Sequence, residues 1–153
     1  MHFDGITIDV NGSLFRVTVE QDSDHGEPWN EEDGHGVISE WTQRAKKPGE
    51  MILCSDRDQH RFYDISATMR IAVRDEWGPQ IPYRTPQQAA AAAVQADYQR
   101  MRAWCNDDWR YVGVIVKALD GSGRRESLWG IESDSDYWKE VARELAEQIL
   151  SEG

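Results

Sequence analysis

Apolar and polar residues alternate at the start of the chain: Ile6, Ile8 and Val10, then Asn11-Gly12, then Phe15, Val17 and Val19. A period of two marks a half-buried strand, and Asn-Gly tolerates the positive φ of a type I′ turn. The pattern therefore predicts a hairpin with Ile8 opposite Phe15 and Ile6 opposite Val17. From Glu20 to Asp33 the period vanishes, and short strands are expected at Val37 to Thr42 and Met51 to Cys54, with Lys47-Pro48-Gly49-Glu50 turning between them. Beyond Cys54 the apolar spacing widens to three and four residues. Phe62, Ile65, Met69, Ala72, Val73 and Trp77 form a stripe that predicts a helix capped by Ser55, Asp56 or Asp58 and stopped by Gly78-Pro79.

Thr85-Pro86-Gln87-Gln88 combines an N-cap, a proline at the first helical position and a glutamine at the third, so a second helix should start there and run to about Asp107. Its inward face would be Val94, Tyr98, Met101 and Cys105. Trp109 to Leu119, turned by Asp120-Gly121-Ser122-Gly123 toward Ser127 to Ile131, reads as a second hairpin. A closing helix carries Tyr137, Trp138, Val141, Leu145 and Ile149 on one face. The expected order is ββββααββα: one α+β domain over residues 1–153, with a mainly antiparallel sheet packed with three helices.

Charge changes this picture at one place. The chain has 17 Lys and Arg against 28 Asp and Glu, a net charge of -11. Seven of the carboxylates and no base fall between Glu20 and Asp33, which leaves a balance of only -4 elsewhere. Acidity on this scale opposes counterion release, so duplex DNA binding is not expected, although Arg44, Lys46, Lys47, Arg57 and Arg61 form a less acidic stretch. No apolar run is long enough to cross a bilayer, and the N-terminus lacks a basic region followed by a long apolar one, so neither a membrane span nor a secretory signal is expected. Cys54 and Cys105 sit at apolar positions outside any CxxC motif and read as buried inert thiols, which fits a reducing cytoplasm.

Catalytic motifs are sparse. There is no GxSxG elbow, GxGxxG or Walker loop. His25 and His35 flank the acidic loop with Asp33 nearby, yet they lack HExxH spacing, and the bland reading is a solvated loop shaped by glycines. Asp56, Asp58 and His60 alternate as nuclease ligands sometimes do, but helix capping accounts for the two acids. No metal and no cofactor is therefore expected.

The acidic loop, at about residues 20–36, is the main functional candidate. A charge run is ordinarily a solvated face. This one also contains glycines, a proline and Trp29, and with Trp41 it has the aromatic anchors typical of interfaces. Asp22, Asp24, Glu27, Trp29, Glu31, Glu32, Asp33 and Trp41 are the expected partner-binding residues. Their carboxylates suit a partner with a basic nucleic-acid groove.

The run EPWNEEDGHGVISEWTQRAKKPGE from Glu27 to Glu50, followed by RFYDISATMRIAVRDEWG from Arg61 to Gly78, resembles a family of small accessory proteins of bacteriophages and prophages. The likeness continues through QADYQRMRAWCNDDWRYVGVIV and LWGIESDSDYWKEVARELAEQI and covers most of the chain. Some small phage proteins of this kind are anti-CRISPR proteins, and this chain is similar in size, acidity and lack of motifs to inhibitors of type I surveillance complexes. The resemblance implies a non-enzymatic inhibitor in the cytoplasm of a bacterial host, acting on a type I crRNA-guided complex by blocking its target DNA. The alternatives are a small metal-dependent hydrolase or nuclease using Asp33 and His35, and a phage regulatory protein that binds another phage product.

Overall fold

The computed structural model describes residues 3–152. Helices and antiparallel sheets of four and three strands make an α+β fold, as the patterning implies. The contacts divide the chain into two compact units: residues up to Gly26 together with those from Trp109 onward, and Glu27–Asp108. The second unit is thus inserted between two strands of the first.

In the first unit, β1 (Phe3–Val10), β2 (Ser13–Gln21), β6 (Tyr111–Ala118) and β7 (Arg125–Glu132) form one antiparallel sheet in the order β1-β2-β6-β7. The β1–β2 register pairs Ile8 with Phe15 and Ile6 with Val17, as the alternation requires. Asn11 and Gly12 have φ of 54° and 86°, the two positive values of a type I′ turn. Alternation then sends Phe15, Val17, Val19, Val112, Val114 and Val116 to one face, where Val141, Ala142, Leu145, Ala146 and Ile149 of α4 (Tyr137–Glu152) cover them. This core is almost wholly aliphatic.

In the second unit, β3 (Val37–Ile38), β5 (Gln59–Asp64) and β4 (Glu50–Asp56) form a three-stranded antiparallel sheet with β5 in the middle. A short helix, α1 (Pro28–Glu31), precedes it, and α2 (Ile65–Arg74) and α3 (Pro86–Cys105) follow. The expected capping box is present: Thr85 Oγ1 accepts from the Gln88 amide at 3.1 Å, and Gln88 Oε1 accepts from the Thr85 amide at 2.9 Å.

Two expectations for this unit are corrected. The stripe beginning at Phe62 is not helical from its start: Asp56 to Gln59 is a hairpin turn, with Arg57 at φ 59°, and the helix begins only at Ile65. Its N-cap is Asp64, whose carboxylate accepts from the Ala67 amide at 2.8 Å, and not Ser55, Asp56 or Asp58. Because β5 is the central strand, Arg61, Phe62 and Tyr63 are all buried, and strict alternation is lost. The strand expected from Val37 to Thr42 shortens to two residues, with an isolated bridge from Thr42 to His60.

The cysteines bring a third correction. Cys54 on β4 and Cys105 at the end of α3 are joined in a disulfide, with Cα atoms 5.6 Å apart. Both were expected to be buried, but as free thiols. Burial alone does not distinguish the two states, and the pairing of a strand with a helix end lies beyond local patterning. The argument from unpaired thiols to a reducing compartment therefore falls away. No helix among the described residues is long and apolar enough to cross a membrane.

Candidate functional site

Arg61 organises one edge of the second unit. The residue is only 7% exposed, an environment that costs a cation heavily unless it is compensated. Compensation comes from three neighbours. Arg61 Nη2 donates to Glu27 Oε1 at 3.1 Å, and the guanidinium carbon lies 5.2 Å from the Trp29 ring centroid and 5.1 Å from that of Trp41. Two indoles and a carboxylate thus converge on one buried cation, which is cation–π geometry at both rings. Among the described residues, Arg61 Nε has no hydrogen-bond partner.

Each neighbour is placed by its own element. Pro28 at the first position of α1 and Glu27 at its N-cap set the helix that carries Trp29, and Asn30 Nδ2 donates to Glu27 Oε2 at 3.2 Å. A hydrogen bond from its own backbone amide, with those from Asn30 and Arg61, holds the Glu27 carboxyl below the ordinary range against the opposing cost of burial. Trp29 meets Trp104 of α3 edge to face, with centroids 5.4 Å apart. Trp41 remains 40% exposed, so one face of the cluster is a large aromatic surface in contact with solvent.

A second polar cluster lies two helical turns back along α3. Asp97 Oδ2 accepts from the Tyr63 hydroxyl at 2.7 Å and from the Gly36 amide at 2.9 Å, while Oδ1 lies 2.6 Å from His35 Nδ1. Burial, reinforced by the adjacent Asp97 carboxylate, pushes the Tyr63 hydroxyl pKa far up. Gly36 has no side chain for a steric reason: a Cβ there would collide with the Tyr63 ring. Asp97 and Trp104 are seven residues apart on one stripe of α3, and together they hold the segment from Glu27 to Trp41 at two levels.

The structure therefore brings Glu27, Trp29 and Trp41 together around Arg61. It also leaves Glu31, Glu32 and Asp33 exposed at the end of α1. It does not keep the acidic loop whole. Asp22 and Asp24 belong to the first unit, where Asp22 Oδ2 accepts from the Gly130 amide at 3.0 Å and Oδ1 from the Asp24 amide at 3.2 Å. Asp22 is thus a structural acceptor. His25 also belongs to the first unit and stacks on Tyr111 with centroids 3.6 Å apart, whereas His35 belongs to the second. Among the described residues, no group of three or more His, Cys, Asp or Glu side chains is arranged to hold a metal ion.

Arg61, Asp97 and Tyr63 were not identified as site residues from the sequence. Arg61 carries a signal, a cation inside the run HRFYD beside apolar neighbours, but by charge it reads only as part of a less acidic stretch. Two cations of that stretch, Arg44 and Arg61, are ion-paired within the unit. Arg44 forms a bidentate pair with the buried Glu50 at 2.8 and 2.7 Å, and Lys46 Nζ donates to the Glu50 carbonyl at 3.0 Å.

Comparisons with known proteins return no match: no family model, no curated protein and no solved structure aligns with the chain.

Proposed function

We infer that this chain is a non-catalytic binding protein that docks the Trp29–Arg61–Trp41 edge of its second unit onto a basic nucleic-acid groove of a host complex. In its concrete form it is a phage inhibitor of a type I crRNA-guided surveillance complex, and its carboxylates take the place of target DNA. The supporting observation is Trp41: a 40% exposed indole held in one orientation by a buried, ion-paired arginine. An exposed aromatic already fixed in place loses little conformational freedom on binding, and Trp and Arg are the residues most enriched at interface hot spots. Glu31, Glu32 and Asp33 begin two residues after Trp29 and supply the charge that a basic groove attracts.

The test uses a purified type I complex and its cognate DNA. The intact protein should bind the complex and prevent DNA association, and Trp41→Ala should weaken binding by about thirtyfold, the size of an interface hot spot. Neutralising Glu31, Glu32 and Asp33 together should slow association and flatten its salt dependence. A complex that binds DNA equally well with and without this protein would refute the CRISPR target. Binding that survives Trp41→Ala unchanged would refute the site.

A further inference from the structure

The first unit has a sheet face that α4 does not cover, and its chemistry is unlike the rest of this acidic chain. Alternation places Arg16, Thr18 and Glu20 of β2, Gly113, Ile115 and Lys117 of β6, and Arg125 and Ser127 of β7 on that face. The register aligns the cations. Arg16 lies directly opposite Lys117, and Lys117 directly opposite Arg125. With strands about 4.8 Å apart, these three positions form one row about 10 Å long across the sheet, and the Arg16 side chain extends it over Gly5 of β1. Lys117 and Arg125 are like charges directly opposite one another, a pairing that contributes nothing favourable to the sheet.

The neighbouring rows add a neutral floor and an aromatic platform. Thr18, Ile115 and Ser127 pair across the next row, and beyond it Trp129 lies over Gly113. A Cβ at Gly113 would collide with the indole, so the glycine lets the ring lie against the sheet, where it remains 45% exposed. Trp129 Nε1 donates to Ser127 Oγ at 3.3 Å, which fixes the ring on its own strand. Arg16, Thr18, Glu20, Ile115, Lys117 and Arg125 line a shallow hollow in this face. Among the described side chains, Glu20 is the carboxylate within the hollow, opposite Gly113, and Asp9 lies on its margin.

We propose that this face binds a single-stranded nucleic acid, with phosphates along the Arg16–Lys117–Arg125 row and an unpaired base on Trp129. Charge complementarity selects a polyanion, and the flat exposed indole distinguishes nucleic acid from an acidic protein, because a base stacks on it. An open sheet also favours single strands over duplex, whose bases are already stacked on one another. This site is separate in its residues from the Trp41 edge and does not depend on the inhibitor reading.

Fluorescence anisotropy with labelled oligothymidylate and oligouridylate of about 16 nucleotides tests it. Binding is expected, and it should weaken between about 50 and 200 mM salt with a log–log slope near -2, the value for three phosphate contacts on a single strand. Lys117→Glu with Arg125→Glu should weaken binding by more than about tenfold. Lys117→Gln with Arg125→Gln removes the like-charge pair without putting another in its place, so it should weaken binding while leaving the melting temperature unchanged or raised, which separates loss of binding from loss of fold. Trp129→Leu should weaken single-strand binding about tenfold while leaving inorganic polyphosphate binding unchanged, because only a base can stack. No binding up to about 100 µM, the weak end of non-specific affinity, would overturn the proposal. So would single-strand binding that ignores the charge reversal, or polyglutamate binding as tight as the oligonucleotides with Trp129→Leu having no effect on either.

Discussion

The two units reach stability by different chemistry. The first packs Val17, Val19, Val112, Val114, Val116 and the apolar stripe of α4 into an aliphatic core. The second contains all three buried polar or charged residues found among the described residues, Glu50, Arg61 and Thr68, together with the Asp97 cluster and the disulfide. An aliphatic sheet-and-helix core depends on volume and is insensitive to pH and redox state. A core with internal charges depends on each partner being present, because an orphaned buried group bears its whole desolvation cost. The inserted unit should therefore respond to conditions that leave the first unaffected.

The sharpest way to break that contrast is to open a cavity in the first unit. Phe15 is 1% exposed, and Phe15→Ala should cost about 3 to 5 kcal/mol. Residue-resolved amide exchange should show the loss in β2 and β6, where the side chain packs.

Next in size is the disulfide. It closes a separation of 51 residues, so Cys54→Ser with Cys105→Ser should cost the second unit about 4 kcal/mol at most on the chain-entropy account. A reductant titration followed by exchange of the β4 and α3 amides measures it. Equal loosening of β2 and β6 would show that the two units do not differ in the way described.

Asp97→Ala removes the acceptor for the Tyr63 hydroxyl and the Gly36 amide and should destabilise by about 3 kcal/mol, measured by urea unfolding. Trp41 fluorescence should change in the same variant, because Asp97 anchors the segment leading to it. Unchanged fluorescence would mean that Arg61 alone positions the indole.

The smallest effect concerns acid. Arg44, with the Lys47 amide, holds the Glu50 carboxyl at about 2, below its ordinary 4.5. A depressed folded-state pKa gives stability that is present above 4.5 and lost as pH falls through 2. The stability advantage of the native protein over Glu50→Gln should thus narrow across that window in acid unfolding curves. A constant difference from pH 5 to 2 would remove Glu50 as the acid-sensitive group of this unit.

Both outer hairpins, α3 with its capping box, and α4 were legible because each is specified locally: Asn11-Gly12 dictates a turn, and Thr85-Pro86-Gln87-Gln88 dictates a start. The hairpin at Asp56 to Gln59 was not, since it turns through Arg57 without a glycine, asparagine or proline to announce it. Its second strand is buried on both faces and mimics a helical stripe. At the site, Glu27, Trp29 and Trp41 could be chosen by residue type and crowding, but nothing local indicates that all three meet Arg61.

By itself, then, the amino-acid sequence determined the α+β class, the two outer hairpins with the register of the first, and the concentration of charge around α1, because periodicity, turn chemistry and charge density act over a few neighbouring residues. Tertiary structure decided the rest. It paired Cys54 with Cys105, divided the acidic run between two units, buried Arg61 between two indoles, and aligned Arg16, Lys117 and Arg125 across three strands. Each of these depends on which distant segments pack or pair, and that choice is made by the burial of the whole chain rather than by any local pattern.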